Sequence, residues 1–280
     1  MLEPRQIQSV VNMALEEDAP FGDLTSQTLV PVTAKATADL VAREPGVFAG
    51  AEVFEIAMTT LDPTVTVTLH AADGDRFEKG AVLATVSGPA RAVLQSERVA
   101  LNLVQRMTGI ATLTATYVDA VAGANARVVD TRKTTPGLRA LERHAVRCGG
   151  GHNHRYSLSD AVMAKDNHLA VIDDITAALE QAKADLPHTT HIEVEVDRLE
   201  QIDAVLASGA AHTIMLDNFS LEDLRAGVEQ IGDRALVEAS GGITLETIKD
   251  VAATGVDVIS VGALTHSVRA LDLGLDIKVS

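Results

Sequence analysis

The residues of this chain best suited to chemistry are cations crowded between Asp130 and His168. This stretch holds seven Lys or Arg against four Asp or Glu, a formal charge of +3, whereas the whole chain carries −16. Its loops and strand ends contain the side chains that could bind an anion: Arg132, Lys133, His154, Arg155, Lys165 and His168. Arginine suits planar carboxylates because its guanidinium donates two parallel hydrogen bonds. A local positive excess in an acidic protein therefore predicts a small anionic ligand.

Other basic residues in this stretch have a different interpretation. Arg139, Arg143 and Arg147 are spaced four residues apart on a predicted helix at 138–148 and are interpreted as its solvated face, supported by Glu142. The histidines near His154 do not predict a zinc site, because the surrounding cations oppose a bound dication and the helix offers no second thiol.

Carboxylates follow in the next predicted strands. Glu193 and Glu195 alternate with apolar residues at 191–196 and so point to one side of their strand. Either this is an edge strand with a solvated face, or the pair faces the cations inside a barrel, which we favour. Asp130 and Asp217 end other predicted strands, where carboxylates can hold Mg²⁺ or, alternatively, cap a helix.

Two glycine-containing turns could bind phosphate. Ser240, Gly241 and Gly242 follow one predicted strand, and Gly262 follows the next. Glycines at such positions allow backbone N–H groups and a helix N-terminus to approach a phosphate closely. The alternative for each glycine is a tight turn without a ligand.

From Ala126 onward a short apolar strand, a polar residue or glycine, a loop and an amphipathic helix recur. The predicted strands are 126–130, 161–165, 191–196, 212–217, 235–240 and 257–261. Alternation of strands and helices predicts a parallel sheet of the α/β class. A doubly wound open sheet and a TIM-like barrel both remain open. We favour the barrel, whose functional residues come from many strand ends, although six strands are fewer than the usual eight.

The earlier residues predict an α+β domain. Its predicted strands lie at 33–41 and 64–71, with helices at 4–17, 51–61 and 90–107, and another helix follows at 108–121. The pI near 4.9 and the aromatic content of 2% argue against a nucleic-acid partner. The chain has one cysteine and no apolar run of about 18 residues, the length a membrane span needs. We therefore expect a cytoplasmic protein with no membrane partner.

Six motifs together resemble the quinolinate phosphoribosyltransferase family, the decarboxylating pyrophosphorylases of NAD biosynthesis. They are DTRKTTPGLR from Asp130, GGGxxHR ending at Arg155, AVMAKDNH ending at His168, EVEV from Glu193, MLDNF around Asp217 and SGGI from Ser240. They occur in the family's order, and weaker likeness extends over nearly the whole chain. A probable single-residue insertion near 209–211 is the one departure.

The resemblance implies two domains. Residues 1–107, joined by 266–280, would form an N-terminal α/β sandwich, and residues 108–265 an incomplete α/β barrel. It also implies a homodimer whose active site is shared between subunits, with Arg98 contributed by the neighbouring subunit. Assembly beyond a dimer stays open.

The resemblance also implies roles for the motif residues. Quinolinate would lie among Thr131, Arg132, Lys133, His154, Arg155, Lys165 and His168. Glu195 and Asp217 would contact the ribose and a Mg²⁺ bound to pyrophosphate. The phosphate loops would be Ser240, Gly241 and Gly242 together with Val261, Gly262 and Ala263. The residues expected to act in catalysis are Lys133, Lys165, Glu195 and Asp217.

The implied reaction joins the nitrogen of quinolinate to C1 of 5-phosphoribosyl-1-pyrophosphate, releases pyrophosphate and then loses CO₂. Three alternatives stay open on the sequence alone. Lys165 at a strand end could instead form a Schiff base. The chain could bind a phosphometabolite without turnover. It could also belong to a sister branch associated with molybdenum transport, which uses another acceptor.

Overall fold

The computed structural model describes residues 2–278 and contains two compact units. The first unit comprises the residues up to 115, residues 134–150 and the residues from 264 onward. The second comprises Thr116–Lys133 and Gly151–Ala263. Within residues 2–278, no helix combines the length and the apolar character that crossing a bilayer requires.

The elements are numbered here in chain order. The helices are α1 (Pro4–Asp18), α2 (Leu24–Leu29), α3 (Ala51–Thr59), α4 (Ala90–Ala120), α5 (Arg139–Cys148), α6 (Asp166–Leu169), α7 (Ile175–Asp185), α8 (Glu200–Ala207), α9 (Leu221–Ile231), α10 (Ile248–Ala252) and α11 (Ala263–His266), with a 3₁₀ turn at Gly232–Arg234. The strands are β1 (Lys35–Ala42), β2 (Gly46–Val47), β3 (Thr66–Leu69), β4 (Arg76–Phe77), β5 (Val82–Pro89), β6 (Arg127–Val129), β7 (Val162–Ala164), β8 (Ile192–Val196), β9 (Thr213–Asp217), β10 (Leu236–Ser240), β11 (Val258–Ser260) and β12 (Leu273–Ile277).

The first unit is built on an antiparallel sheet of order β12-β1-β5-β3. Along β1 every second residue is buried, ending at Leu40 and Ala42. This period of two places one face of the strand in the core. Helices α1 and α3 supply further core side chains, among them Ile7, Val11 and Phe54, all fully buried.

The second unit is built on a parallel sheet of order β6-β11-β10-β9-β8-β7. Strands β7 to β11 are neighbours in sequence order, and β6, the earliest strand, pairs with β11, the latest. A doubly wound sheet would instead reverse direction at a switch point. Among the described residues β6 and β7 are the two edges of this sheet and do not pair with each other; Val129 of β6 instead forms an isolated bridge with His152. The predicted incomplete α/β barrel is therefore confirmed.

The helical region after Pro89 differs from the prediction. The sequence predicted two helices with a break near residue 108, but α4 runs unbroken from Ala90 to Ala120. Thr108 is fully buried and its hydroxyl donates to the carbonyl of Ala49. Gly109 is also used for packing, since a Cβ there would lie 2.2 Å from the carbonyl oxygen of Arg269. The residues that resembled a helix break thus serve close contacts within the first unit.

The prediction that Glu142 supports a solvated face of α5 is wrong, because Glu142 is only 1% exposed. Its Oε1 accepts from Nε of Arg106 at 2.7 Å and lies 2.6 Å from Nη2. Its Oε2 accepts from the backbone of Thr135, and Arg106 also donates to the carbonyl of Thr265. Spacing along a helix does not reveal a partner on another helix, so the sequence could not separate Glu142 from its arginine neighbours.

We expect Arg106→Ala to destabilise the protein by about 3–5 kcal/mol, because it leaves the charge of Glu142 buried without its partner. Glu142→Ala should cost less, since the side chain of Arg106 is 29% exposed and can be hydrated. Free energies of unfolding from urea titrations would measure both. Glu55→Ala, an exposed position on α3, serves as the control. A larger loss for Glu142→Ala than for Arg106→Ala would contradict this account.

Candidate active site

A cavity of about 400 Å³ opens at the carboxyl ends of the parallel strands of the second unit. It is lined by Thr131, Arg132, Lys133, His154, Arg155, Met163, Lys165, Glu195, Met215, Asp217, Ser240 and Ser260. Parallel strands present their carboxyl ends at one edge of a sheet, and barrels place their functional groups there. Five strand ends contribute side chains: Lys165 follows β7, Glu195 lies in β8, and Asp217, Ser240 and Ser260 close β9, β10 and β11.

Asp130, just after β6, organises one wall of this cavity. Its side chain is fully buried and accepts from Nδ2 of Asn153 at 2.6 Å and from the backbone N–H of His154 at 2.8 Å. The backbone of His152 pairs with β6 on both sides of Val129. Asp130 therefore holds the 152–154 segment in place. Both of its oxygens accept these hydrogen bonds, which gives Asp130 a structural role in this wall.

Two arginines on this wall are held close together. Arg155 donates from Nη1 to the carbonyl of Ala161 at 2.9 Å. Burial, followed by the positive charge of Arg132, lowers the pKa of Arg155, and the carboxylates of Glu193 and Asp160 oppose this shift. Nε of Arg132 is buried and has no hydrogen-bond partner among the described residues. Two crowded guanidiniums favour an anion that can accept hydrogen bonds from both.

His154 lies beside the arginines, and its ring contacts two carboxylates on strands of the parallel sheet. Its Nε2 is 3.1 Å from Oε2 of Glu193 on β8 and 3.5 Å from Oε1 of Glu238 on β10. Burial opposes a charged ring, but the hydrogen bonds and charges of the two carboxylates outweigh burial and raise the pKa of His154 to about 10. Arg132, His154 and Arg155 thus form a basic wall of the cavity, and Glu193 and Glu238 form an acidic floor beneath it.

The opposite wall carries carboxylates at the ends of β8 and β9. Nζ of Lys165 donates to Oε2 of Glu195 in an ion pair. Asp217 accepts from Nδ2 of Asn218, the non-glycine residue with positive φ (58°) among those described. Glu195 and Asp217 also line a second cavity of about 700 Å³, which the side chains of Asp166, Asp197 and Arg198 border. These two carboxylates thus divide the basic cavity from a neighbouring space.

Several predicted site residues do not line the first cavity. His168 is exposed, and its Nδ1 accepts from the backbone N–H of Lys165 at the start of α6. Arg98 is exposed on α4 and belongs to the first unit. The remaining members of this group lie in the turns after β10 and β11: Gly241, Gly242, Val261, Gly262 and Ala263.

Gly241 nevertheless requires glycine. Its φ is 92°, and a Cβ would lie 2.2 Å from Oδ1 and 2.8 Å from the backbone N of Asn218. The turn after β10 therefore packs directly against the turn after β9. This close approach places Ser240 and Asp217 side by side, in agreement with their paired register.

The sequence missed four residues of the site. Ser260 ends β11 as Ser240 ends β10, so its position alone could have indicated it. Glu238 is a carboxylate within a buried parallel strand, a departure from the usual apolar run that was also readable. Met163 and Met215 gave no signal, because an apolar residue in a strand is ordinary whether it faces a helix or a cavity.

Comparisons with known proteins agree over nearly the full chain. Residues 23–108 match the N-terminal domain of quinolinate phosphoribosyl transferase, and residues 110–276 match its C-terminal domain. A probable nicotinate-nucleotide pyrophosphorylase (carboxylating) of Bacillus subtilis is 44% identical, covering 98% of this chain and 94% of that protein. The Mycobacterium leprae nicotinate-nucleotide pyrophosphorylase (carboxylating) is 46% identical, covering 96% of each.

A solved structure is also similar. The crystal structure of NadC from Streptococcus pyogenes superposes with a TM-score of 0.95 at 40% identity, covering 99% of this chain and 98% of that one. Fold, motif order and both domain matches lead to one conclusion. The chain belongs to the quinolinate phosphoribosyltransferase family.

Proposed function

We propose that this protein transfers a phosphoribosyl group from 5-phosphoribosyl-1-pyrophosphate to quinolinate and decarboxylates the product. The products are nicotinate mononucleotide, pyrophosphate and CO₂, which is a step of de novo NAD biosynthesis. The observation that carries the proposal is one cavity with a basic wall of Arg132, His154 and Arg155 facing the carboxylates Glu195 and Asp217. It offers cations to a dicarboxylate and anions to a sugar that becomes positively charged.

The basic wall would bind and orient the acceptor. Quinolinate carries two carboxylates on adjacent ring carbons, and the paired guanidiniums of Arg132 and Arg155 offer planar donors to them. Lys133 follows in the same turn, and the backbone N–H of Lys133 donates to the hydroxyl of Thr131. Holding both carboxylates presents the ring nitrogen to the sugar in a single orientation. Much of the rate acceleration then comes from positioning rather than from proton transfer.

Glu195 and Asp217 would stabilise the charge that develops on the sugar. Departure of pyrophosphate gives C1 an oxocarbenium-like character, and a preorganised carboxylate nearby lowers the energy of that state. The ion pair with Lys165 fixes the orientation of Glu195. After the new bond forms, the ring nitrogen is cationic and stabilises the electron pair left at C2 when CO₂ leaves. Protonation of C2 then gives nicotinate mononucleotide.

Mg²⁺ is part of the proposal. Asp217 offers a carboxylate oxygen at the edge of the cavity, and Glu195 lies on the neighbouring strand. Mg²⁺ prefers oxygen ligands and usually combines one or two carboxylates with substrate phosphates and water. When bound, the ion would neutralise charge on the departing pyrophosphate. Because Glu195 is paired with Lys165, most of the coordination would come from pyrophosphate and water.

The Schiff-base alternative is less well supported. A lysine nucleophile needs a free amine, whereas Nζ of Lys165 is held in an ion pair with Glu195. Borohydride with candidate keto substrates should therefore trap no adduct at Lys165, and mass spectrometry of the treated protein would reveal one.

The direct test of the reaction is an assay with quinolinate labelled in its 2-carboxylate, 5-phosphoribosyl-1-pyrophosphate and Mg²⁺. We expect labelled CO₂ and pyrophosphate in equal amounts, and no pyrophosphate when quinolinate is left out. Binding without turnover would instead identify a phosphometabolite-binding protein. Turnover with another acceptor only would place the chain in the sister branch associated with molybdenum transport. Chelation of Mg²⁺ should abolish release of both products.

We expect Arg132→Ala and Arg155→Ala each to weaken the binding of quinolinate by about 2–4 kcal/mol. Each substitution leaves a carboxylate of the ligand without its partner in a desolvated site. The KM for 5-phosphoribosyl-1-pyrophosphate should change far less. Steady-state kinetics with each substrate varied in turn would separate the two effects. Equal losses for both substrates would contradict the assignment of this wall to the acceptor.

We further propose a homodimer with shared active sites. Arg98 is exposed on α4, and the first unit displays large apolar side chains at Phe21 (93% exposed), Leu24 (76%) and Val32 (76%). Apolar side chains exposed close together in sequence are a common mark of a protein interface. A cytoplasmic location stays a prediction from the sequence.

Mixing two inactive variants tests the shared site. Arg98→Ala and Lys165→Ala should each lose activity, and a mixture refolded together should recover part of it. The reason is that a mixed dimer contains one site in which both residues are native. Activity should depend on the mixing ratio and peak near equal amounts, whereas the absence of recovery at every ratio would exclude sharing through these residues.

A further inference from the structure

Two buried carboxylates lie beneath the basic wall and have no assigned part in the proposed reaction. Glu193 on β8 and Glu238 on β10 are 4% and 3% exposed, and β9 runs between their strands. Oε1 of Glu193 has no hydrogen-bond partner among residues 2–278, and for Oε1 of Glu238 the contact with Nε2 of His154 is long, at 3.5 Å. Two ionised carboxylates this close in a dry interior would repel each other, so such pairs usually keep one proton between them.

The ring of His154 contacts both carboxylates of this pair. Nε2 lies closer to Glu193 (3.1 Å) than to Glu238 (3.5 Å). The other ring nitrogen, Nδ1, accepts from the backbone N–H of Arg155 at 2.7 Å. A proton on Nδ1 would point at that N–H, so the local backbone favours a single ring proton, on Nε2 and directed at Glu193.

The cluster nevertheless binds a further proton readily. The carboxylates raise the pKa of His154, and burial together with the charge of Glu193 raises the pKa of Glu238, although hydrogen bonding from His154 opposes this. In coupled groups these shifts describe protons of the cluster as a whole. Because Nδ1 is occupied as an acceptor, the carboxyl group of Glu238 is the place for the extra proton.

The groups around Glu238 fit this assignment. From β8 it faces the charge of Glu193, and from the loop between α5 and β7 it faces the ring of His154. From β11 the hydroxyl of Ser260 is close, and on β9 the residue paired with Glu238 is the uncharged Met215. Arg155 interacts with Glu193.

We propose that Glu238 is a positioning residue that stays protonated at neutral pH and, together with Glu193, holds the ring of His154 toward the acceptor-binding wall. Ionisation of Glu238 at higher pH would add negative charge under that wall and weaken the binding of a dicarboxylate. The identity of that dicarboxylate rests on the proposed function, but the protonation state does not.

Infrared difference spectroscopy of the free protein tests the protonation state without any substrate. At neutral pH we expect the carbonyl band of a protonated carboxylic acid in the wild type, which disappears on titration to high pH. The band should be absent from Glu238→Gln and retained in Glu229→Gln, an exposed position on α9. A wild type without this band, or a Glu238→Gln protein that keeps it, would overturn the proposal.

Kinetics test the positioning role. Glu238→Ala should raise the KM for quinolinate on the order of tenfold, as expected when a buried hydrogen-bonded group loses its support. Glu238→Gln, which mimics the neutral acid, should recover most of this loss. It should also lose the alkaline rise of KM that the wild type shows. In contrast, Glu193→Gln should weaken quinolinate binding more than Glu238→Gln, because it alters the closer of the two carboxylates that contact Nε2 of His154.

The outcomes separate two failures. Equal harm from Glu193→Gln and Glu238→Gln, or an unchanged alkaline rise in Glu238→Gln, would refute the role of Glu238. If Glu238→Ala does not fold, as judged by circular dichroism, the pH profile of Glu238→Gln still decides. If the wild type does not turn over quinolinate at all, the proposed function fails, while the infrared titration still settles the protonation of Glu238.

Discussion

The structure of the second unit depends on compensating a concentration of positive charge at the ends of buried strands. Guanidiniums at Arg132 and Arg155 cannot be assembled beside one another in a cavity unless negative groups lie close by. The compensating groups come from the strands themselves, with Asp130 holding the loop that carries the cations and Glu193 underneath. The basic wall and the acidic floor are thus one electrostatic unit, and neither would be stable alone.

The same arrangement explains why the cavity has two chemically different sides. On one side, Arg132 and Arg155 lie close together, and Nε of Arg132 has no hydrogen-bond partner among the described residues, so an incoming anion completes the set. On the other side, Lys165 is already neutralised by Glu195, and the surplus is negative because Asp217 remains. A substrate pair in which one partner is a dianion and the other develops positive charge matches this asymmetry. The parallel sheet supplies it by placing each residue at a separate strand end.

Much of the parallel sheet and of the cavity could be predicted from the sequence. Alternation with helices indicates parallel strands, and a change to polar residues indicates where each strand ends. The basic wall followed from Arg132, His154 and Arg155 in predicted loops. The acidic floor was only half predicted, since Glu193 and Glu195 stood out by alternation but Glu238 was taken as part of an ordinary strand. Contacts between segments distant in sequence could not be predicted. Glu142 was predicted to be solvated because its partner Arg106 lies on a different helix. The unbroken course of α4 was missed for the same reason, since Thr108 and Gly109 serve packing partners that spacing cannot show.

The pairing of β1 with β12 has a consequence for how the chain folds as it is synthesised. Arg43 and Asp276, which join these strands, are separated by 233 residues. One edge of the antiparallel sheet therefore lacks its native neighbour until almost all of the described chain has left the ribosome. The strands of the parallel sheet lie within one stretch, from β6 to β11, and can complete their pairing earlier. An unpaired strand edge invites pairing with other chains, so the first unit passes through the more aggregation-exposed interval of biosynthesis.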